Sequence, residues 1–153
     1  MEEGITLGAI GYVHSPVEET VDENWGGVVS KIILRPEYKG GTQGLEQFSH
    51  VIVITYLHRA KFELSRHLKR HPRNRQDMPL VGIFSQRAKD RPNPIGITAV
   101  KLLKVGPDFI EIQGLDAING TPVLDIKPYI PQYDRVEKAV TPEWTEELMK
   151  GYF

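Results

Sequence analysis

The chain contains no cysteine. That excludes disulfides, thiolate metal sites and thiol nucleophiles together, and it favours a reducing compartment. Long apolar runs are absent as well. The longest aliphatic stretch, Val51-Ile52-Val53-Ile54, falls far short of the ~18 residues of a membrane helix. The opening Met1-Glu2-Glu3-Gly4 lacks the basic start of a secretion signal. No membrane partner is expected, and the cytoplasm is the expected location. There is no Gly-x-Gly-x-x-Gly opening a helix and no Gly-x-x-x-x-Gly-Lys-Ser/Thr, which argues against a standard dinucleotide or nucleotide-triphosphate enzyme. His67 and His71 stand four apart, but Pro72 follows and no third ligand is apparent, so no metal is expected.

Large net charge is also missing. The formal net charge is -1 over 153 residues, but its distribution is uneven. From Arg59 to Arg91 there are ten basic residues against three acidic, a net of +7. The remaining nine basic and seventeen acidic residues carry -8. Such separation creates a local positive field, unless the segment is simply a solvated, mixed loop. Gly and Pro make up 25 residues and punctuate the chain throughout, so long helices are not expected.

Length predicts one domain over residues 1–153. Six segments read as short strands: Leu7–Val13, Val28–Arg35, His50–Leu57, Leu80–Phe84, Ile97–Val105 and Phe109–Gly114. Ile32 and Leu34 oppose Lys31 and Arg35, and Ile110 and Ile112 alternate with Glu111 and Gln113. Phe62–Arg70 reads as a short helix. A C-terminal helix is expected over 141–151, with Pro142 in its first turn and Gly151 as its stop. Several short strands at this spacing predict a sandwich or a closed barrel.

Three clusters carry the chemistry. Gly82-Ile83-Phe84 leads into a loop holding Arg87 and Arg91, stiffened by Pro92-Asn93-Pro94 before Ile95-Gly96. Two guanidinium forks on a rigid loop can hold a carboxylate or phosphate. They can equally pair with nearby acids in a structural corner. The second cluster runs from Gly114 to Tyr129. Asn119-Gly120 is a type I′ hairpin signal, and Asp116, Asp125 and Lys127 crowd around it. The third links Gly44-Leu45 and Phe48-Ser49-His50 through a strand to His58.

In order along the chain these clusters resemble the TsaA-like family. The matching residues are Gly11, Ser15-Pro16, Gly44-Leu45, Phe48-Ser49-His50, His58, Gly82-Ile83-Phe84, Arg87, Arg91-Pro92-Asn93-Pro94-Ile95-Gly96, Leu115-Asp116, Gly120-Thr121-Pro122-Val123 and Asp125-Ile126-Lys127-Pro128-Tyr129. The resemblance covers about residues 8–134. It implies a mainly β fold, a small antiparallel closed β-barrel of about six or seven strands with short peripheral helices. It implies a homodimer that binds S-adenosylmethionine near the subunit interface and methylates N6 of threonylcarbamoyladenosine at tRNA position 37. Carried over by position, the cofactor contacts are Asn24, Trp25, Gly26, His58, Arg59, Arg87, Ile97, Ala117, Ile118, Asn119 and Gly120. Where some members have Asp in the turn, this chain has Asn119, which keeps the turn without the charge.

A proton must leave the target nitrogen, and Asp116, Asp125 and His58 are candidates to accept it. Arg70, Arg73, Arg75, Lys89 and Arg91 are candidates for tRNA phosphates, with Tyr56 or Tyr129 stacking on a base. The same fold acting on another RNA or a small molecule, or serving as a non-catalytic interaction module, are the rival readings.

Overall fold

A computed structural model describes residues 3–153. Six strands close into an antiparallel barrel: β1 (Gly11–His14), β2 (Val29–Leu34), β3 (His50–Tyr56), β6 (Ile95–Val105), β7 (Phe109–Gln113) and β8 (Pro122–Pro128). Around the barrel they run β1-β2-β7-β6-β3-β8. Between β3 and β6 the chain makes an excursion. It holds α1 (Leu64–His67) and the two-stranded sheet of β4 (Lys69–Arg70) and β5 (Val81–Gly82). Helices α2 (Pro131–Asp134) and α3 (Glu143–Met149) follow the barrel.

Period-two alternation builds the wall. In β2 the residues Ser30, Ile32 and Leu34 turn inward, and in β7 Ile110 and Ile112 do so. They meet Val13, Val51, Val53, Val100, Leu115, Ala117 and Val123 in one core. Burying a residue such as Ile110 is worth about 1.5–3 kcal/mol. The right register is therefore strongly enforced, since a one-residue slip would turn each of these side chains outward.

Several expectations are corrected. Leu80–Phe84 contributes only Val81–Gly82, and that pair belongs to the small sheet, not the barrel. The sixth barrel strand is instead β8, whose sequence reads as a turn and a run of charges. Proline is tolerated at the first residue of a strand, and Val123 points into the core with no exposure. The first strand is shorter than expected, with Ile5 and Leu7 exposed. The expected helix over Phe62–Arg70 is a single turn. The C-terminal helix is Glu143–Met149, with Gly151 in the left-handed region after it.

Asn119-Gly120 forms a turn, but it is not a hairpin between paired strands. Only Gly120 has a positive φ, +82°, and Thr121 N–H donates to the Ile118 carbonyl at 3.2 Å. One left-handed residue at the third position is a type II turn. The flanking β7 pairs with β2 and β6, while β8 pairs with β1 and β3.

The registers sort the connections between two ends of the barrel. At one end lie the pairs Tyr56↔Ile95, Thr55↔Val123, Tyr12↔Pro122, His14↔Lys31 and Val29↔Gln113. This end is called the mouth. At the opposite end lie Gly11↔Leu34, Ile33↔Phe109, Val105↔Ile110 and Val51↔Pro128.

Candidate functional site

The residues expected to contact a cofactor come from five separate segments. All five leave the barrel at the mouth. His58-Arg59 follows β3, Ile97 lies near the start of β6, and Ala117–Gly120 connects β7 to β8. Asn24–Gly26 precedes β2, and Arg87 lies in the excursion.

Hydrogen bonds join them into a belt. The Arg87 guanidinium donates to the Ile97 carbonyl at 2.6 Å. Arg59 donates to the Glu18 carbonyl at 3.2 Å and to the Glu19 carboxylate at 3.3 Å. The Asn119 amide donates to the Glu18 carboxylate at 3.0 Å and accepts the Ser15 N–H at 3.2 Å. The acidic pair after Ser15-Pro16 therefore ties the β3 exit to the turn at Asn119. Beside Ile97, the Thr98 hydroxyl donates to Asp116 Oδ1 at 2.6 Å, and the Tyr152 hydroxyl donates to Asp116 Oδ2. Asn24 and Trp25 donate their backbone N–H groups to the carbonyls of Gly151 and Tyr152, both at 2.8 Å. Gln113 donates to the Gly26 carbonyl at 3.2 Å.

The belt includes residues that sequence reasoning missed: Glu18, Glu19, Thr98 and Tyr152. The acidic pair follows Ser15-Pro16 and could have been noticed there. Nothing in the sequence links Tyr152 to Asp116 across 36 positions.

The electrostatics of the mouth separate its titratable groups. Partial burial, with the Arg59 charge second, holds the His58 imidazole below the ordinary 6.5, so it is neutral at pH 7. Burial, with the Asp116 charge second, pushes the Tyr152 phenol above its ordinary 10.0, so it stays protonated and donates.

The three candidate proton acceptors do not come together. His58 is exposed at the mouth. Asp116 is there too, but both of its oxygens already accept hydroxyl protons. Asp125 lines a cavity of about 540 Å³ with Ile10, Tyr38 and Phe48. Its carboxylate accepts the Ile126 N–H at 2.9 Å and pairs with Lys127 at 3.1 Å. This cavity, and one of about 330 Å³ that shares Thr42 and Gln43 with it, belong to the end opposite the mouth.

Four of the five candidate phosphate contacts are engaged inside the chain. Arg70 pairs with Asp90 at 3.7 Å, and Arg75 grips Asp77 with two bonds of 3.1 and 2.6 Å. Arg73 lies 3.9 Å from Asp22 and 5.7 Å from the Tyr152 ring centroid. Arg91 donates to the carbonyls of Gln86 and Ala88 at 3.0 and 3.4 Å. Arg91 thus braces the loop through backbone carbonyls, and not through the acidic partners expected of a structural corner. Lys89 is exposed, as are Lys61 and Lys69, and among the described residues these three make no ion pair. Phe84, 80% exposed, stands on the same excursion, two residues beyond the β4–β5 pair Lys69↔Gly82. Of the two candidate stacking rings, Tyr56 is exposed at the mouth, while Tyr129 packs edge-on to His50 at the far end. Among the described residues no three His, Asp or Glu side chains are grouped to hold a metal, and no helix is long and apolar enough to cross a membrane.

Comparison with known proteins matches residues 16–135 to the family described as tRNA-methyltransferase O N-terminal domain. The chain is 38% identical over 148 residues to a probable S-adenosyl-L-methionine-binding protein of Pyrococcus abyssi, covering 90% of this chain and 74% of that one. It is 44% identical over 112 residues to the human tRNA (adenine(37)-N6)-methyltransferase, covering 73% of this chain but 24% of the human protein. The crystal structure of TrmO from Pseudomonas aeruginosa superposes with a TM-score of 0.76 at 29% identity, covering 94% of this chain and 63% of that one. This chain thus spans less than two thirds of the solved TrmO chain and about a quarter of the human enzyme.

Proposed function

Because this chain belongs to the tRNA-methyltransferase O N-terminal domain family, we propose that it is an S-adenosylmethionine-dependent methyltransferase acting on N6 of threonylcarbamoyladenosine at position 37 of tRNA. The observation that carries the reading is the belt at the mouth. It gathers Arg59 and Asn119 with their partners Glu18 and Glu19, and Arg87 bonded to the Ile97 carbonyl, at one end of the barrel.

These residues fit the cofactor's chemistry. Arg59 and Arg87 offer guanidinium donors to a carboxylate. Glu18 offers lone pairs to a ribose diol. Ile97, half exposed, offers apolar surface to a base. When bound, S-adenosylmethionine supplies an activated methyl group. Displacement at carbon demands alignment of the reacting atoms, so the main work of the mouth is orientation. His58, neutral and exposed, is the group at the mouth free to take a proton, and Asp116 is instead a structural clamp. Asp125 serves the opposite end.

The RNA contact in this proposal shifts from the paired arginines to Lys61, Lys69 and Lys89, with Phe84 as a stacking platform for an unpaired base. We also read the chain as a cytoplasmic homodimer. Support comes from the outer face of the β3–β6 pair. There Tyr56 is 44%, Ile95 41% and Ile97 50% exposed, side by side with Ile54. Contiguous apolar surface of this kind marks association sites, and it borders the mouth.

The test is incubation with methyl-labelled S-adenosylmethionine and tRNA, with and without the threonylcarbamoyl group. Label in the modified tRNA alone is expected. Label in a different RNA or a small molecule replaces the substrate assignment, and no label with intact cofactor binding makes the chain a non-catalytic module.

A further inference from the structure

The residues after α3 lie against the mouth. Gly151, at φ +69°, reverses the chain after the helix. The Gly151 and Tyr152 carbonyls then accept the N–H groups of Asn24 and Trp25. The approach is close. A Cβ on Gly26 would lie 2.6 Å from the Phe153 carbonyl carbon, so only glycine admits the tail there. The Tyr152 ring passes beneath the Arg73 guanidinium and meets the Phe153 ring edge-on at 4.8 Å. Its hydroxyl completes the Asp116 carboxylate, whose other oxygen is held by Thr98. Trp25, whose backbone N–H meets this strap, is 2% exposed, and its indole N–H donates to the Val21 carbonyl at 3.0 Å.

Ordering the segment 151–153 costs backbone entropy residue by residue. Two backbone bonds, one charge-assisted bond and two ring contacts offset that cost. They link the loop 24–26 to Asp116 at the start of the connection 116–120, adding to the Thr98 bond that ties Asp116 to β6 and the Gln113 bond that ties Gly26 to β7. We propose that Tyr152 is a positioning residue for the cofactor site, acting through Asp116 to strap the loop 24–26 against the connection 117–120. The proposal rests on the reading of the mouth as that site.

The experiment uses the whole chain in a Trp144→Phe background, so that Trp25 is the only indole. Tyr152→Phe removes the hydroxyl and keeps the ring. Losing one hydrogen bond to a charged group should weaken S-adenosylmethionine binding by about tenfold or more. The calorimetric Kd and the KM for cofactor should rise together while kcat stays near its original value, and Trp25 emission should shift to the red. Thr98→Ser, which keeps a hydroxyl, should preserve both signals, and Thr98→Val should reproduce the defect in part. Red-shifted emission with an unchanged Kd would overturn the proposal and leave the cofactor reading standing. Unchanged emission and unchanged Kd would overturn the strap itself. If the unsubstituted chain binds no S-adenosylmethionine, the reading of the mouth fails, and the proposal fails with it.

Discussion

The two ends of the barrel differ in how they use polar groups. At the mouth, side chains tie different segments together: Arg59 bonds Glu18 and Glu19, Asn119 bonds Glu18, Arg87 bonds the Ile97 carbonyl and Thr98 bonds Asp116, while apolar side chains such as Ile95 and Ile97 are left in the open. At the opposite end the charged and imidazole groups bond their sequence neighbours: Ser49 bonds the adjacent His50, and Asp125 bonds Ile126 and Lys127. The long-range polar bond there, from buried Thr42 to the Gly106 carbonyl at 2.6 Å, only pins one loop to another. That end has a half-open cavity of about 540 Å³, whereas the mouth has the converging chemistry. Orientation of a charged ligand needs fixed donors and acceptors, and these are gathered at the mouth.

The comparison breaks most readily at Arg87. Its guanidinium is anchored by the Ile97 carbonyl, and Arg87→Ala removes both a charged donor and the tie to β6. The expected loss is about 2–3 kcal/mol of cofactor binding, or roughly 30- to 150-fold in Kd by calorimetry. At the other end, Tyr38→Ala and Gln43→Ala should leave that Kd unchanged.

A second test sets the free lysines against the paired arginines. Neutralising Lys61, Lys69 and Lys89 together should flatten the dependence of log Kd for tRNA on log salt by about two units. The same treatment of Arg70, Arg73 and Arg75 should flatten it less, because Asp90, Asp22 and Asp77 already neutralise them. Equal flattening by both sets would mean that the ion pairs open on binding.

The strap predicts an alkaline weakness. The folded chain holds the Tyr152 phenol above its ordinary 10.0. Its contribution is fully present below pH 10 and is lost as pH rises beyond it, because the unfolded chain then releases the proton more readily. Chemical denaturation between pH 9 and 11 should show this decline in the unsubstituted chain and a shallower one in Tyr152→Phe. The smallest effect is expected at Thr42. Thr42→Ala should cost about 1–2 kcal/mol of stability by orphaning the Gly106 carbonyl, with cofactor binding untouched.

How much of this was legible in the sequence depended on whether the signal was local. Ile110 and Ile112 announced their strand because burial repeats every second residue. β8 did not, since two prolines and two charges masked a strand whose inward side chain, Val123, is paired with the core only through β1 and β3. The clustering of Arg87, Ile97 and Asn119 at one mouth was carried by the family resemblance, and no spacing rule contains it. The charge of the Arg59–Arg91 segment is legible in the sequence, but its availability is not. Asp22 lies outside the segment and cannot be matched to Arg73 without the fold. Tyr152 stood outside the matched motifs altogether and became visible only as the donor to Asp116.

The central claim is that the mouth, and not the far-end cavity, holds the cofactor. Calorimetric titration of S-adenosylmethionine into the unsubstituted chain, Arg87→Ala and Tyr38→Ala, side by side, tests it most directly. The account predicts one-to-one binding that Arg87→Ala weakens at least tenfold and Tyr38→Ala leaves intact. Loss of binding in Tyr38→Ala with full binding in Arg87→Ala would contradict it.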